Sequence, residues 1–242
     1  MPKVTKAIIV DAGVGSRMFP FTKVDSKLMI PILSKPVVAY LVEELAASGV
    51  KEVIIISTHI AKLKQFFSKN PYLNKLLKKL KKEKQLKQIH HLESMCKIDL
   101  IKQQKPMGWL HEVFHARKHV EKEPFLVCFS DAIYISKKPA AKQVIETFEK
   151  VNKNIRANAR YLFKPSAFEF INKEQFEFGK DVADLDVFEK LRGKNDLFDF
   201  NIKGEFYDIG DTFAYLKTQT VFGLKNNEFG KDFRKYLKKL VK

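Results

Sequence analysis

Residues 10–36 read VDAGVGSRMFPFTKVDSKLMIPILSKP, and they follow a short apolar run, Lys6–Val10 (KAIIV). That run has the length and residue types of a buried strand. Gly13 and Gly15 then break it into a loop. Glycines there let the backbone approach a phosphate closely and aim N–H groups at it. Ser16 adds a hydroxyl donor, and Arg17 and Lys27 add positive charge suited to polyphosphate oxygens. No G-K-[ST] follows, so this is not a Walker loop, and the third glycine of the dinucleotide fingerprint is absent. Taken alone, G-x-G after a strand also describes an ordinary tight turn.

Outward from that loop, strands and helices alternate. Pro36 opens a helical stretch, VVAYLVEELAASG, which Gly49 closes at a C-cap position. Strands are predicted at Glu52–Ser57, Lys97–Gln103, Pro124–Phe129, 157–163 and Leu197–Asn201. Helices are predicted at Ile60–Lys87 with one break at Pro71, and at His111–Val120, Ala140–Val151, Ser166–Asn172, Asp181–Arg192, Thr212–Leu224 and Glu228–Val241. This order implies an α/β fold: a Rossmann-like, mostly parallel sheet flanked by helices. A single domain over residues 1–242 accounts for it, with a helical C-terminal part from about residue 212. Ligands of such sheets bind at the carboxyl ends of the strands, where the glycine loop and Asp131 both fall.

The formal charge is +17, carried mostly by lysine. Much of it lies in two runs, Lys75–Lys87 and Lys231–Lys242. Such an excess attracts polyanions, with nucleotide phosphates and nucleic acid as the two candidates. A solvated lysine-rich surface is the reading preferred for both runs. Leu73, Leu76, Leu77 and Leu80 recur at helical spacing, which describes an amphipathic surface helix packed on a core; a membrane-surface or partner-binding helix shares the pattern. No segment approaches the length of a membrane span. Cys96 and Cys128 give no disulfide framework and no zinc ligand set, and Cys128 in FLVCF reads as a buried free thiol. With no signal-peptide pattern at the N-terminus, a reducing, cytoplasmic compartment is expected.

Two further segments carry polar groups with chemical potential. KQQKPMGWLHEVFHAR, residues 102–117, contains H-E-x-x-H: His111, Glu112 and His115. Histidines at i and i+4 share a helix face and could bind zinc, with Glu112 as general base. That reading needs a third ligand downstream, and none follows in pattern. Asp131 ends the apolar strand PFLVCFSD, and Asp208 lies in the turn GEFYDIGD. Two carboxylates from separate strand ends can hold a hard divalent cation whose shell is completed by water and phosphate oxygens. A strand-end cap and a turn residue are the ordinary alternatives.

The longer strings resemble the sugar-nucleotide pyrophosphorylase family of nucleotidyltransferases, most nearly the uridylyltransferases acting on glucose 1-phosphate. A-G-x-G-[ST]-R is Ala12–Arg17, P-x-T-K is Pro20–Lys23, the lysine of the P-K element is Lys27, and K-P is Lys35–Pro36. The resemblance implies that Arg17 and Lys27 contact the nucleotide phosphates, while Ala12, Gly13, Gly15 and Ser16 hold base and triphosphate. Q-x-x-x-x-G-x-x-H-A-V aligns with Gln103, Gly108, His111, Glu112 and Val113. It implies that Gln103 reads the uracil edge and that Gly108 admits the backbone to the base. Asp131 and Asp208 match the family's two metal aspartates, which implies Mg²⁺. The expected reaction joins UTP and a sugar 1-phosphate, glucose 1-phosphate first, to give UDP-glucose and pyrophosphate; homo-oligomers are the family tendency. Asp11 stands where the family has a small residue. Ser26 and Leu28 replace a proline and an acid beside Lys27, and Leu110 replaces the second glycine of G-x-G. The family's Y-G-V-V and V-E-K-P segments, which serve the sugar, have no counterpart between Val151 and Arg160–Tyr161, the family's R-Y. A later G-[DE]-E-I-Q-L-T-D is matched by residues 179–186, which implies Asp181 as a sugar-site acid. Those departures leave a second expectation open, a degenerate relative that keeps nucleotide or partner binding without turnover. A charge-driven nucleic-acid binder is the third.

Overall fold

The computed structural model describes residues 3–105, 107–171, 176 and 184–241. The chain begins with β1 (Lys6–Val10), a short hairpin of β2 (Pro31–Ile32) and β3 (Lys35–Pro36), α1 (Val37–Ala47) and β4 (Glu52–Ser57). Three helices follow, α2 (Ile60–Phe67), α3 (Pro71–Lys79) and α4 (Glu83–Ser94), then β5 (Lys97–Lys102), α5 (Trp109–Val120) and β6 (Phe125–Phe129). The second half runs β7 (Ala132–Ile135), α6 (Ala140–Val151), β8 (Asn154–Ala157), β9 (Arg160–Phe163), α7 (Asp184–Gly193), β10 (Leu197–Asp199), β11 (Glu205–Asp208), α8 (Thr212–Lys225) and α9 (Gly230–Leu240). Among the described residues the main sheet has the order β10-β8-β9-β6-β1-β4-β5. The pairs β1–β4, β1–β6, β4–β5 and β8–β10 are parallel, and β9 runs antiparallel to both its neighbours. The mostly parallel α/β sheet expected from the alternation is present.

β1 is buried along its whole length because both sheet faces are covered. Its alternate residues enter separate cores. Ala7 and Ile9 pack with Val38, Leu41 and Leu45 of α1 and with Val144 and Phe148 of α6. Ile8 and Val10 pack with Val113, Ala116 and Val120 of α5 and with Val187 and Leu191 of α7. Cys96 and Cys128 are free thiols, and burial pushes the Cys128 thiol up to about 12.

Several elements differ from the sequence expectation. The helix expected over Ile60–Lys87 has a second interruption at Leu80–Lys82, where Lys81 takes φ 55°. Lys78, Lys79, Lys81 and Lys82 crowd like charge onto one turn, which disfavours continuing the helix. Glu83 then starts α4, an acid in a first helical turn. No residue of α3 is buried, so its leucines do not pack on the core as expected. The strand expected at 157–163 is a hairpin, β8 and β9, turning at Asn158–Ala159 with Ala159 at φ 53°. The helix expected at Ser166–Asn172 is a 3₁₀ segment, Pro165–Glu169, and residue 172 lies outside the described residues.

Candidate active site

From β1 the chain proceeds through α1 to β4 and through α2–α4 to β5, all on one side; α5 then returns it to β6 on the other side of β1. The loops after β1 and β6 diverge there, which leaves a crevice at their carboxyl ends. Gly13 and Gly15 have φ 87° and 62°. A Cβ on Gly15 would lie 2.8 Å from Thr22 Cγ2, and Thr22 Oγ1 donates to the Gly15 carbonyl at 2.8 Å. The loop is therefore folded tightly onto the next turn, and only glycine fits at 15. A Cβ on Gly13 would meet nothing within 4 Å, so its open face leaves the backbone approachable. Gly13 and Lys27 line two adjoining cavities of about 300 and 490 Å³. Asp11, Lys23, Ser26 and His59 wall the smaller one. Ala12, Arg17, Gly108, Trp109, Asp131 and Tyr161 wall the larger.

Four charged groups meet beside Gly13. Lys27 Nζ lies 3.0 Å from Asp131 Oδ2. A Cβ on Gly210 would lie 2.9 Å from Asp208 Oδ1, 3.0 Å from Arg17 Nη2 and 3.3 Å from Asp131 Oδ2. Side chains from three distant segments therefore surround one point. The element that achieves this is the pairing of β7 with β11, which sets Asp208 opposite Ala132. Ile209 N–H donates to the Asp131 carbonyl at 2.9 Å and Gly210 N–H to Asp208 Oδ1 at 2.6 Å, which fixes the turn. Both strands escaped the sequence reading. β7 is separated from β6 by only Ser130–Asp131, so the two read as one apolar run, and β11 is short and largely exposed.

Gln103 follows β5 at the same sheet edge and is buried. Its Nε2 donates to His111 Nδ1 at 3.1 Å, and its Oε1 has no hydrogen-bond partner among the described residues. Gly108, at φ 86°, is the N-cap of α5 and opens on the larger cavity. Ser16 is exposed and is not part of either cavity wall. Asp181 lies outside the described residues.

Glu112 overturns the zinc-hydrolase alternative. It is fully buried, and its Oε2 accepts from Asp11 N–H at 2.8 Å. A carboxyl buried in the interface and bonded to the β1 loop is not placed to act as general base on a metal-bound water. Around it the structure reveals a buried polar group that sequence reasoning missed. Asp11 Oδ2 accepts from Ser26 Oγ and Ser57 Oγ, both at 2.7 Å. Burial raises the Asp11 carboxyl, against the lowering effects of Ser26, Ser57, Lys27 and Ser130. Burial, then the neighbouring Asp11 charge, pushes Glu112 well above its ordinary range. The signal was present in the helix period: Glu112, Ala116 and Val120 recur every four residues on the buried face.

Asp131 and Asp208 offer hard oxygen donors only, and no group of three His, Cys, Asp or Glu that could hold a metal occurs among the described residues. Two carboxylates that leave the remaining positions to water and phosphate fit a small hard cation bound together with a substrate.

The profile of the family described as Nucleotidyl transferase matches residues 6–157, more than half of the sequence. The chain belongs to that family. Nucleotidyl transferases generally use a divalent metal, which suits the donor set. This nucleotidyl transferase is 27% identical to UTP–glucose-1-phosphate uridylyltransferase 1 of Staphylococcus saprophyticus over 286 residues, covering 99% of this chain and 100% of that protein. It is 25% identical to the Staphylococcus epidermidis UTP–glucose-1-phosphate uridylyltransferase, covering 99% of each. The comparison spans 286 positions, more than the 242 residues of this chain, so it includes positions at which this chain has no residue. The fold matches a UTP-bound UDP-glucose pyrophosphorylase from Acinetobacter baumannii (TM-score 0.86, 18% identity, 97% of this chain and 98% of that one). It also matches a UDP-glucose pyrophosphorylase complexed with UDP-glucose (TM-score 0.82, 21% identity, 92% of this chain and 100% of that one). Among the described residues, no helix of this nucleotidyl transferase is long and apolar enough to cross a membrane.

Proposed function

We propose that the chain transfers the uridylyl group of UTP to glucose 1-phosphate, the activity named for its Staphylococcus relatives. The observation that carries this reading is the convergence of Arg17, Lys27, Asp131 and Asp208 beside the glycine loop. A phosphate oxygen of glucose 1-phosphate attacks the α-phosphorus of UTP in line, the bond to the β-phosphate breaks, and pyrophosphate leaves. No protein nucleophile is needed, so catalysis is positioning and charge neutralisation. Ala12, Gly13 and Gly15 bring backbone to the triphosphate, with Ser16 at the edge of the same turn. Arg17 and Lys27 balance the charge that develops on the phosphates. Lys27 and Asp131 neutralise each other before substrate enters; a triphosphate then replaces Asp131 as the partner of Lys27. Mg²⁺ on Asp131 and Asp208 would neutralise the α- and β-phosphates as pyrophosphate departs. The unpartnered Oε1 of Gln103 is an acceptor suited to uracil N3–H, and Gly108 leaves room for the base. Asp181 is kept as the sugar-site acid of this reading. A single domain over 1–242, a cytoplasmic setting and homo-oligomerisation belong to the same proposal.

Lys27→Ala should lower kcat about 10²-fold or more; unchanged turnover would refute the assignment. The positions at which this chain has no residue favour a second reading, a relative that binds nucleotide without turnover. Calorimetry with UTP followed by a pyrophosphate-release assay with glucose 1-phosphate separates the two, since the second reading gives binding heat and no release.

A further inference from the structure

His111 and His115 lie one turn apart on α5, outside the buried stripe that holds Glu112, Ala116 and Val120. Their Nε2 atoms are 3.1 Å apart and their rings meet edge to face, with centroids 4.4 Å apart. His115 is exposed and His111 partly so, and the aromatic ring of Phe176 packs against His111 at 5.0 Å. In a tetrahedral zinc site with Zn–N distances of 2.0–2.1 Å, two ligand nitrogens are separated by about 3.3 Å. The pair thus stands almost at the spacing of two adjacent corners.

We propose that His111 and His115 form a binding site for a divalent transition-metal ion, zinc in kind, separate from the carboxylate site, and that its occupancy resets the amide of Gln103. The link is the other nitrogen of His111. Without metal, Gln103 Nε2–H donates to His111 Nδ1, so the ring proton is on Nε2 and points at His115. A metal on both Nε2 atoms requires those lone pairs. The His111 proton then resides on Nδ1, which turns that nitrogen from an acceptor into a donor. Gln103 can meet an N–H only with Oε1, so its amide must turn over. The acceptor that was free in the metal-free state is consumed, and the Nε2 group takes its place. A base edge offering N3–H then faces a donor. This second half rests on the reading of Gln103 as the uracil contact; the metal site itself does not.

The test uses the full chain and two probes, Zn²⁺ alone and uridine, which lacks phosphates that would chelate the metal. Calorimetry should show one zinc ion bound per chain. His115→Ala should weaken that binding about tenfold or more, while His119→Ala, on the same helix and beside Asp99 at 3.8 Å, should leave it unchanged. Equal zinc affinity in wild type and His115→Ala would overturn the site. Uridine affinity should fall at least about tenfold when zinc saturates the wild type and stay constant in His115→Ala. Zinc binding at the pair with no change in uridine affinity would overturn the link to Gln103. Uridine that fails to bind even without zinc would overturn both that link and the base reading it rests on, leaving the metal site decided by the first titration.

Discussion

Glu112 accepts the Asp11 N–H inside the sheet–helix interface, and each of these two residues has a carboxyl oxygen without a hydrogen-bond partner among the described residues. Burial disfavours the charged form of both, so both titrate above their ordinary values of 4.5 and 3.8. A carboxyl whose folded pKa is raised favours the fold fully below its unfolded value. That contribution is lost as pH rises through the folded value, because the native state holds the proton longer than the unfolded chain. Glu112→Gln keeps the acceptor for Asp11 N–H and removes the charge that burial disfavours. Near pH 4 it should match the wild type. From pH 4.5 upward it should become progressively more stable, by about 1–3 kcal/mol at pH 8. Urea titrations at several pH values measure the difference, and two stability curves that stay parallel from pH 4 to 8 would remove the buried-pair interpretation.

Arg160 shows what one buried cation does for several elements. It is fully buried, and Nε and Nη2 each lie 2.9 Å from the two oxygens of Glu44 on α1. Nη2 also donates to the Ala132 carbonyl, at the first residue of β7, and Glu44 Oε1 accepts from the Ala141 N–H at the start of α6. The fork joins β9, α1, β7 and α6, and it holds the strand that brings Asp208 toward Asp131. Arg160→Ala leaves the Glu44 carboxylate, 12% exposed, without its counter-charge and should cost about 3–5 kcal/mol in chemical denaturation. A loss under about 1 kcal/mol would mean that water reaches Glu44 freely. This dependence also explains which elements were legible in the text. β1, β4, α1 and α6 carry their own apolar pattern, so they could be placed from sequence. β7, β8 and β11 are four residues each. They exist because a long-range fork, an αL turn at Ala159 or a partner strand holds them, and none of these leaves a local signature. The Gly15 turn was legible because only glycine fits there, whereas the serines and carboxyls beneath it read as ordinary loop and helix residues.

At the scale of the whole molecule, the lysine excess and the active-site cations act over different distances. Part of the surplus of +17 lies on α3, none of whose residues is buried, and α4 is tied across to the α8–α9 connection by Lys84 and Glu228. Charges of this kind attract an anionic substrate from solution but are screened within about 8 Å at physiological salt. Lys27 is only 11% exposed and already paired with Asp131, so its effect on a bound phosphate survives salt. A ligand that joins the loop after β1 to the turns at Asp131 and Asp208 stabilises the fold only by its affinity for the native state. UTP with Mg²⁺ at about 100 times its Kd should add about 2.7 kcal/mol, seen as a rise in Tm. Asp208→Asn removes one of two carboxylates that repel the triphosphate when no metal is present. Its thermal shift with UTP in a metal chelator should therefore equal or exceed that of the wild type, while the extra shift that Mg²⁺ gives the wild type should disappear. An identical response of both proteins, with and without the chelator, would separate Asp208 from the metal.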